Sequence, residues 1–420
     1  MSRIVTPLTV DELRKAVGTE AALRSRRRLQ PVGGQGDKIF PPTYPGEGRN
    51  NPPPRHVFER RRLDDREIWC VLVDSVQSQA NRLEESLSQL IREKSAGIHI
   101  PHVLVDFKGK GLQGISEITS LDAPHRVYDA IFRDSLLDGQ PFMESEIGKG
   151  LAKASAHDGT DLLTISPTAL LFGAWHSTGQ GGGFGAKFAR CVVSEIIAVD
   201  VPAEEQLDQR TGEIEVRTAG RRTSSRIDPL GVLRKVEVFK GQDGWDISAK
   251  GAGKDAKQVR PSEINHGNIM PSVQALGITC DHLEHTFVLS FAALRRLDFG
   301  SLKKNAAART LLAALGLLAL AEQDAQGYAL RSRCDLVCEE NKPLQIVHAD
   351  GTTTDTMVDR NAAHTLYTDA LKDAKEVGFA FSDRPIRLTP QQKLVEIVRK
   401  SQELALEGKG GENDEAEEKQ

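Results

Sequence analysis

Apolar positions recur at helical spacing in six stretches of the chain. In residues 6–24, Thr9 is followed three residues later by Glu12, a capping-box pattern, and Leu13, Val17 and the Ala21–Leu23 cluster give a loose apolar face. Ser75–Lys94 carries Val76, Ala80, Leu83, Leu87 and Leu90 at steps of four and three, with Asp74 or Ser75 as its cap. Asp122–Leu137 has Pro124 in its first turn, Val127, Ile131 and Leu136 on one side, and Gly139 after its end. Leu302–Gln326, Arg360–Glu376 and Pro390–Leu406 complete the set, and Leu302–Gln326 stops at Gly327.

Shorter apolar runs of strand length lie between these helices: Ile68–Asp74, Ile98–Phe107 (Pro101 marking an edge or bulge), Leu162–Ile165, Val192–Val201, Thr286–Ser290, Tyr328–Val337 and Leu344–His348. Leu233–Phe239 and Trp245–Ser248 read as a hairpin closed by Gly241–Gly244. Strand, long helix and strand across 68–107 form a βαβ-like unit. The irregular alternation predicts an α+β fold, with one elaborated domain over 1–400, a basic hairpin insertion at about 202–260 and a helical part at about 300–406. Residues 407–420 form an acidic tail of disordered composition. Residues 40–54, with six prolines and two glycines, predict an extended loop.

Composition sharpens this picture. The 420 residues are 39% hydrophobic and only 5% aromatic, so the core rests on Leu, Val, Ile and Ala. The longest apolar run, Leu311–Ala321, falls short of a bilayer span and predicts a buried helix. The N-terminal MSRIVTPLTVDELRK has no apolar secretory segment, and five scattered cysteines suit a reducing cytoplasm. The net charge of −4 conceals segregation: residues 1–62 hold thirteen basic against six acidic side chains, and 217–260 hold eleven against five. Such clusters fit a polyanion-binding face or ordinary solvated charge.

Gly173–Arg190, GAWHSTGQGGGFGAKFAR, is the most unusual stretch. Its glycines free the backbone, and Lys187 and Arg190 follow, so N–H groups and cations converge on a potential phosphate seat. A mobile surface loop is the alternative. The nucleotide P-loop pattern fails, because Ala186 precedes Lys187 and Phe188 follows it. A partial dinucleotide pattern from Gly181 to Gly185 leads into a predicted strand instead of a helix. Metal chemistry has two weak clusters, Cys280-Asp281-His282-x-x-His285 and Cys334-x-x-x-Cys338, neither with zinc spacing. No nucleophile elbow or metalloprotease helix occurs, although Ser166, Ser177, Ser194 and Asp200 could still meet in three dimensions. In 217–230, Arg221, Arg222 and Arg226 alternate with hydroxyls ahead of an Asp228-Pro229 turn; Arg226 either contacts phosphate or pairs with Asp228.

Several long strings resemble one family in order along the chain: PVGGQGDKIFPPTY at 31–44, CVLVDSVQSQANRLEESL at 70–87, TSLDAPHRVYDAIFRDS at 119–135, PTALLFGAW and GAKFAR around the glycine loop, VVSEI, SSRIDPLG and the NHGN of Asn265–Asn268. The sequence is similar to the RAMP-type Csb-one family, the Cas-seven-like backbone subunit of type I-U (I-G) CRISPR effectors. The resemblance implies an RRM-like, ferredoxin-type core with inserted thumb and finger-like elements and C-terminal helices. It implies a non-catalytic subunit that needs no cofactor or metal, stacks in copies along one CRISPR RNA and presents it to target DNA. The implied partners are a fused Cas-five/Cas-six-type subunit, a large subunit and a recruited helicase-nuclease, with no membrane.

The RNA-binding candidates are Lys38, Arg82, Arg126, Lys187, Arg190, Arg221, Arg222, Arg226, His266 and Asn268, with the loop backbone of Gly179, Gly181, Gly182, Gly183 and Gly185. Cations would hold phosphates without reading bases, as a subunit that accepts any guide requires. No aromatic cluster of the RRM type accompanies them. Related backbone subunits of type III effectors cut RNA with a loop aspartate; Asp37 would be that residue here, against a turn role. The alternative function is an enzyme using Gly173–Arg190 for a phosphorylated substrate. A third is a scaffold with the loop as a docking site.

Overall fold

The computed structural model describes all residues except 1–6, 46–54, 64, 94–96, 176–186, 208–213, 218–220, 224–225, 243, 271, 275, 341 and 407–420. It is mixed α and β, as expected. The chain opens with α1 (Val10–Thr19), where the Thr9 hydroxyl accepts from the Glu12 N–H and the Glu12 carboxylate accepts from the Thr9 N–H. The helix ends there, before the Ala21–Leu23 cluster that the apolar pattern attached to it. Those residues begin β1 (Ala22–Pro31), in which Leu23, Ser25, Arg27 and Leu29 point inward and Arg24, Arg26 and Arg28 point to the other face. That period of two is a half-buried strand, easily hidden by four arginines.

The main sheet adds β2 (Phe58–Leu63), β3 (Arg66–Asp74), β4 (Val192–Val199), β5 (His282–Ser290), β6 (Tyr328–Arg331), β7 (Cys334–Cys338), β8 (Leu344–Val347) and β9 (Thr353–Thr356). Its order is β6-β7-β1-β5-β4-β3-β2, with β8 on the first part of β1 and β9 on β8. Every described pairing in it is antiparallel. A second sheet runs Glu117–Thr119, Val103–Asp106, Ile386–Pro390, Ser135–Leu137, Gln140–Pro141. The strands flanking α2 (Val76–Glu93) therefore fall in different sheets, and the βαβ-like unit does not form.

α3 (Leu302–Gln326) is the centre of the core and matches its expected limits. Its apolar residues face all round the axis, which marks a helix enclosed by protein. It is long and apolar enough to cross a membrane, yet it packs against α1, α2 and α4 (Arg360–Glu376), with Leu312, Leu315 and Leu318 wholly buried.

Four further expectations are corrected. Leu162–Ile165 is helical, in Thr160–Ile165, followed by Pro167–Phe172 with proline in its first turn; a short, wholly buried apolar run carries no period that separates helix from strand. Asp122–Leu137 breaks into a 3-10 turn Arg126–Tyr128, a short helix Ala130–Arg133 capped by Asp129, and strand Ser135–Leu137. The cause is Arg126, held at φ 54, where no helix continues. The last helix begins at Gln392, because Pro390 ends a strand paired with Ser135. The Ile98–Phe107 run is strand only over Val103–Asp106, beyond Pro101.

Candidate nucleic-acid interface

The expected binding residues other than Arg82 and Arg126 separate into two groups at opposite ends of β1. Ten residues at about 3.3 Å each put those ends about 30 Å apart.

At the Pro31 end, β1 runs into the loop 31–40. Gly34 and Gly36 take φ of 92 and 86, so the turn needs glycine there. Asp37 Oδ1 accepts the N–H of Lys38 at 2.9 Å, and Gly33 lies so close to the same carboxylate that a β-carbon would clash with it. Asp37 therefore shapes the turn. Ile39 then pairs with Ile278, and Phe40 packs on Gly277 while the Arg333 guanidinium lies 5.0 Å from the Phe40 ring centre. The strand returning from Ile278 leads to Ser272–Gln274, paired with Arg221–Thr223, and Arg226 pairs with Ile269. Lys38, Arg221, Arg222, Arg226, His266 and Asn268 thus belong to one ribbon, though the side chains of Arg221 and Arg222 lie outside the described residues.

Within that ribbon two candidates are structural. Asn268 Oδ1 accepts the Asp228 N–H at 2.7 Å. Asp228 accepts from the N–H of Gly267 at 2.6 Å and of Leu230 at 3.2 Å, and these donors, Gly267 first, hold its carboxyl below the usual range. The Asp228 turn rests on backbone donors, with Arg226 adding a lesser attraction. His266 packs edge-on to Trp245 with ring centres 5.7 Å apart, and its buried Nδ1 has no hydrogen-bond partner among the described residues.

At the Ala22 end sits the base of the glycine stretch. Ala174–Trp175 pairs with Lys187–Phe188, the Lys187 ammonium lies 5.7 Å from the Trp175 ring centre, and Arg190 is exposed and packs on Gly173. Gly179, Gly181, Gly182, Gly183 and Gly185 lie outside the described residues.

Arg126 is buried: it is 6% exposed, its guanidinium grips Glu84 at 2.9 and 2.6 Å, and it donates to the Gly173 carbonyl at 2.8 Å, so it holds the start of the glycine stretch from inside. Burial pushes the Glu84 carboxyl up to about 7, against the pull of Arg126. Arg82 is also committed, to Asp74 at 2.9 Å and the Leu330 carbonyl at 2.7 Å.

Beneath the sheet a hydrogen-bonded chain runs Asp74, Gln79, Ser194, His285, Tyr328, Asp324, Arg27. Ser194 Oγ lies 2.8 Å from His285 Nε2, a pairing that would suit a nucleophile. Both are sealed in the core, Ser194 at 2% and His285 at 0% exposure, so they order the sheet and meet no substrate. The strand also settles the His282–His285 cluster. Residues three apart on β5 face opposite sides, His282 outward to Asp281 and Arg28, His285 inward.

Burial drives the His285 imidazole from its ordinary 6.5 down to about 4. Asp324 and Asp74 attract its charged form and Arg27 repels it. A depressed histidine stabilises the fold fully above about 6.5 and loses that stability as pH falls toward 4, by at most about 1.4 kcal/mol per pH unit. Glu84 titrates with the opposite sign, so the expected result is a difference: the thermal midpoint of His285→Gln should fall less steeply between these pH values than that of the wild type. Parallel curves would remove His285 from the pH response.

The sequence reading missed Arg24, Arg26 and Arg28 as a row on the outward face, although the alternation with Leu23, Ser25, Arg27 and Leu29 was there to read.

Comparison with known proteins bears on residues 23–203, which match the family described as CRISPR-associated protein GSU0053. No curated protein matches the sequence. Among solved structures, the crystal structure of Csc2 from Thermofilum pendens superposes with a TM-score of 0.29 at 10% identity, covering 96% of this chain and 81% of that one, too loosely to carry an argument.

Proposed function

We propose that this chain, a CRISPR-associated protein by its GSU0053-family match over residues 23–203, is the RNA-binding backbone subunit of a type I effector. Several copies stack head to tail along one CRISPR RNA, an arrangement that needs a heterologous interface. They hold the guide by its phosphates and leave its bases to pair with target DNA, so sequence recognition passes to base pairing. The chain itself performs no chemistry. It works in the cytoplasm beside a fused Cas-five/Cas-six-type subunit, a large subunit and a helicase-nuclease. In this reading the main sheet is an elaborated RRM-like core, and the strand pairs Glu204–Leu207 with Ile214–Arg217 and Arg221–Thr223 with Ser272–Gln274 belong to its finger-like insertions.

The observation that carries the reading is the family match, whose residues include β1, α2 and the base of the glycine stretch. The geometry adds cations at both ends of β1: Lys187 and Arg190 at one, Lys38 and Arg226 at the other. Charge reversal tests it. Lys187→Glu and Arg226→Glu should each reduce retention of CRISPR RNA in a low-salt binding assay while leaving the unfolding free energy within about 0.5 kcal/mol of wild type, as surface changes do. Undiminished RNA binding by both variants together would contradict the reading.

A further inference from the structure

The row Arg24, Arg26, Arg28 has no assigned role. Its members point away from the helices, and the side chains of Arg26 and Arg28 are 50% and 44% exposed. Steps of two residues on a strand set them about 6.7 Å apart. Each is held along one edge. Arg24 Nε and Nη2 donate to Gln345 Oε1 at 3.2 and 2.8 Å, Arg26 Nη2 reaches Glu284 at 2.6 Å, and Arg28 Nη2 lies 3.0 Å from His282 Nδ1. Among the described contacts Nη1 of all three is uncommitted, so the guanidiniums are oriented with donors to spare. An open cleft of about 490 Å³ runs beside Arg26 and Arg28, walled by Lys342, Pro343, Gln345 and Asp355. The row spans the sheet between the two basic ends described above.

We propose that the arginine row of β1 is a track for a single-stranded RNA backbone crossing the sheet from one basic end to the other. This rests on the RNA-binding reading above. The arginine spacing of about 6.7 Å is close to the separation of neighbouring phosphates along an extended strand, so successive phosphates can meet successive arginines. Oriented guanidiniums take phosphate oxygens with two donors, which a lysine row would not do. Glu284 is the brake on the track. It occupies one Nη2 of Arg26 and repels a passing phosphate, so binding is weak enough to yield to neighbouring copies.

The test measures affinity of the full-length chain for a labelled mixed-sequence single-stranded RNA across a salt series. The triple variant Arg24→Gln, Arg26→Gln, Arg28→Gln should bind at least tenfold more weakly. Its log–log salt slope should be smaller by about 2, three phosphate contacts at about 0.7 each. Glu284→Gln, which keeps the fold's shape, should bind more tightly. If the triple variant does not fold, judged by its melting curve, the Glu284→Gln result decides alone. Wild-type binding with unchanged affinity and slope in both variants would overturn the track and leave the RNA-binding reading standing. A triple variant that alters only oligomer size would assign the face to protein contact and also overturn it. A wild type that binds no RNA at all would overturn the reading itself and the track with it.

Discussion

Arg126→Ala is expected to lower stability by about 3–5 kcal/mol, the usual loss when one partner of a buried ion pair is removed. The side chain is 6% exposed, and its removal strands Glu84, itself 1% exposed, without its bidentate partner. It also frees the Gly173 carbonyl, so the base of the glycine stretch loses its tie to α2. Replacing both members, Arg126→Met with Glu84→Leu, should recover much of the loss, because no uncompensated charge remains. Thermal and chemical denaturation of the two variants read the effect. A stable Arg126→Ala protein with weakened RNA binding would instead return Arg126 to the list of phosphate contacts.

Asp74→Ala should cost a similar amount for a different reason. Asp74 is wholly buried at the end of β3 and accepts from Ser78 Oγ at 2.8 Å, Gln79 Nε2 at 2.7 Å, Arg82 Nε at 2.9 Å and Arg331 Nη2 at 3.3 Å. Alanine leaves two guanidiniums and an amide without their acceptor. The expected loss is about 3–5 kcal/mol, and Asp74→Asn, which keeps one oxygen, should lose less. Arg82 and Arg331 tie α2 and the end of β6 to this one carboxylate, through Leu330 and Val73 carbonyls as well. The denaturant midpoint should therefore shift with the slope unchanged. A midpoint within 1 kcal/mol of wild type would show that water replaces the carboxylate.

The parts of the fold that were legible are those where one local signal suffices. α3 and α4 have long apolar patterns with Ser301 and Asp359 as side-chain caps, and both match their expected limits. The Thr9–Glu12 box fixed the start of α1. What escaped depends on distant partners. Nothing near residue 126 announces Glu84, 42 positions away, yet Arg126 meets it from a left-handed backbone position that breaks the expected helix. The same distance effect hides the partners of Arg82 and Asn268, whose polar groups satisfy Asp74 and the Asp228 turn. Lys187 and Arg190, placed by the sequence at the end of the glycine loop, are exposed. The arginine row was legible in the alternation of residues 23–29 and was passed over as a composition bias; β1 separates Arg27, which turns inward to Asp324, from its three outward neighbours.

The most direct measurement is the nucleic acid carried by the chain purified with its partner subunits, by ultraviolet ratio and size exclusion before and after nuclease. The account predicts RNA-bearing assemblies that resist DNase and collapse to small species with RNase. A nucleic-acid-free monomer or dimer that fails to take up added CRISPR RNA at low salt would contradict it.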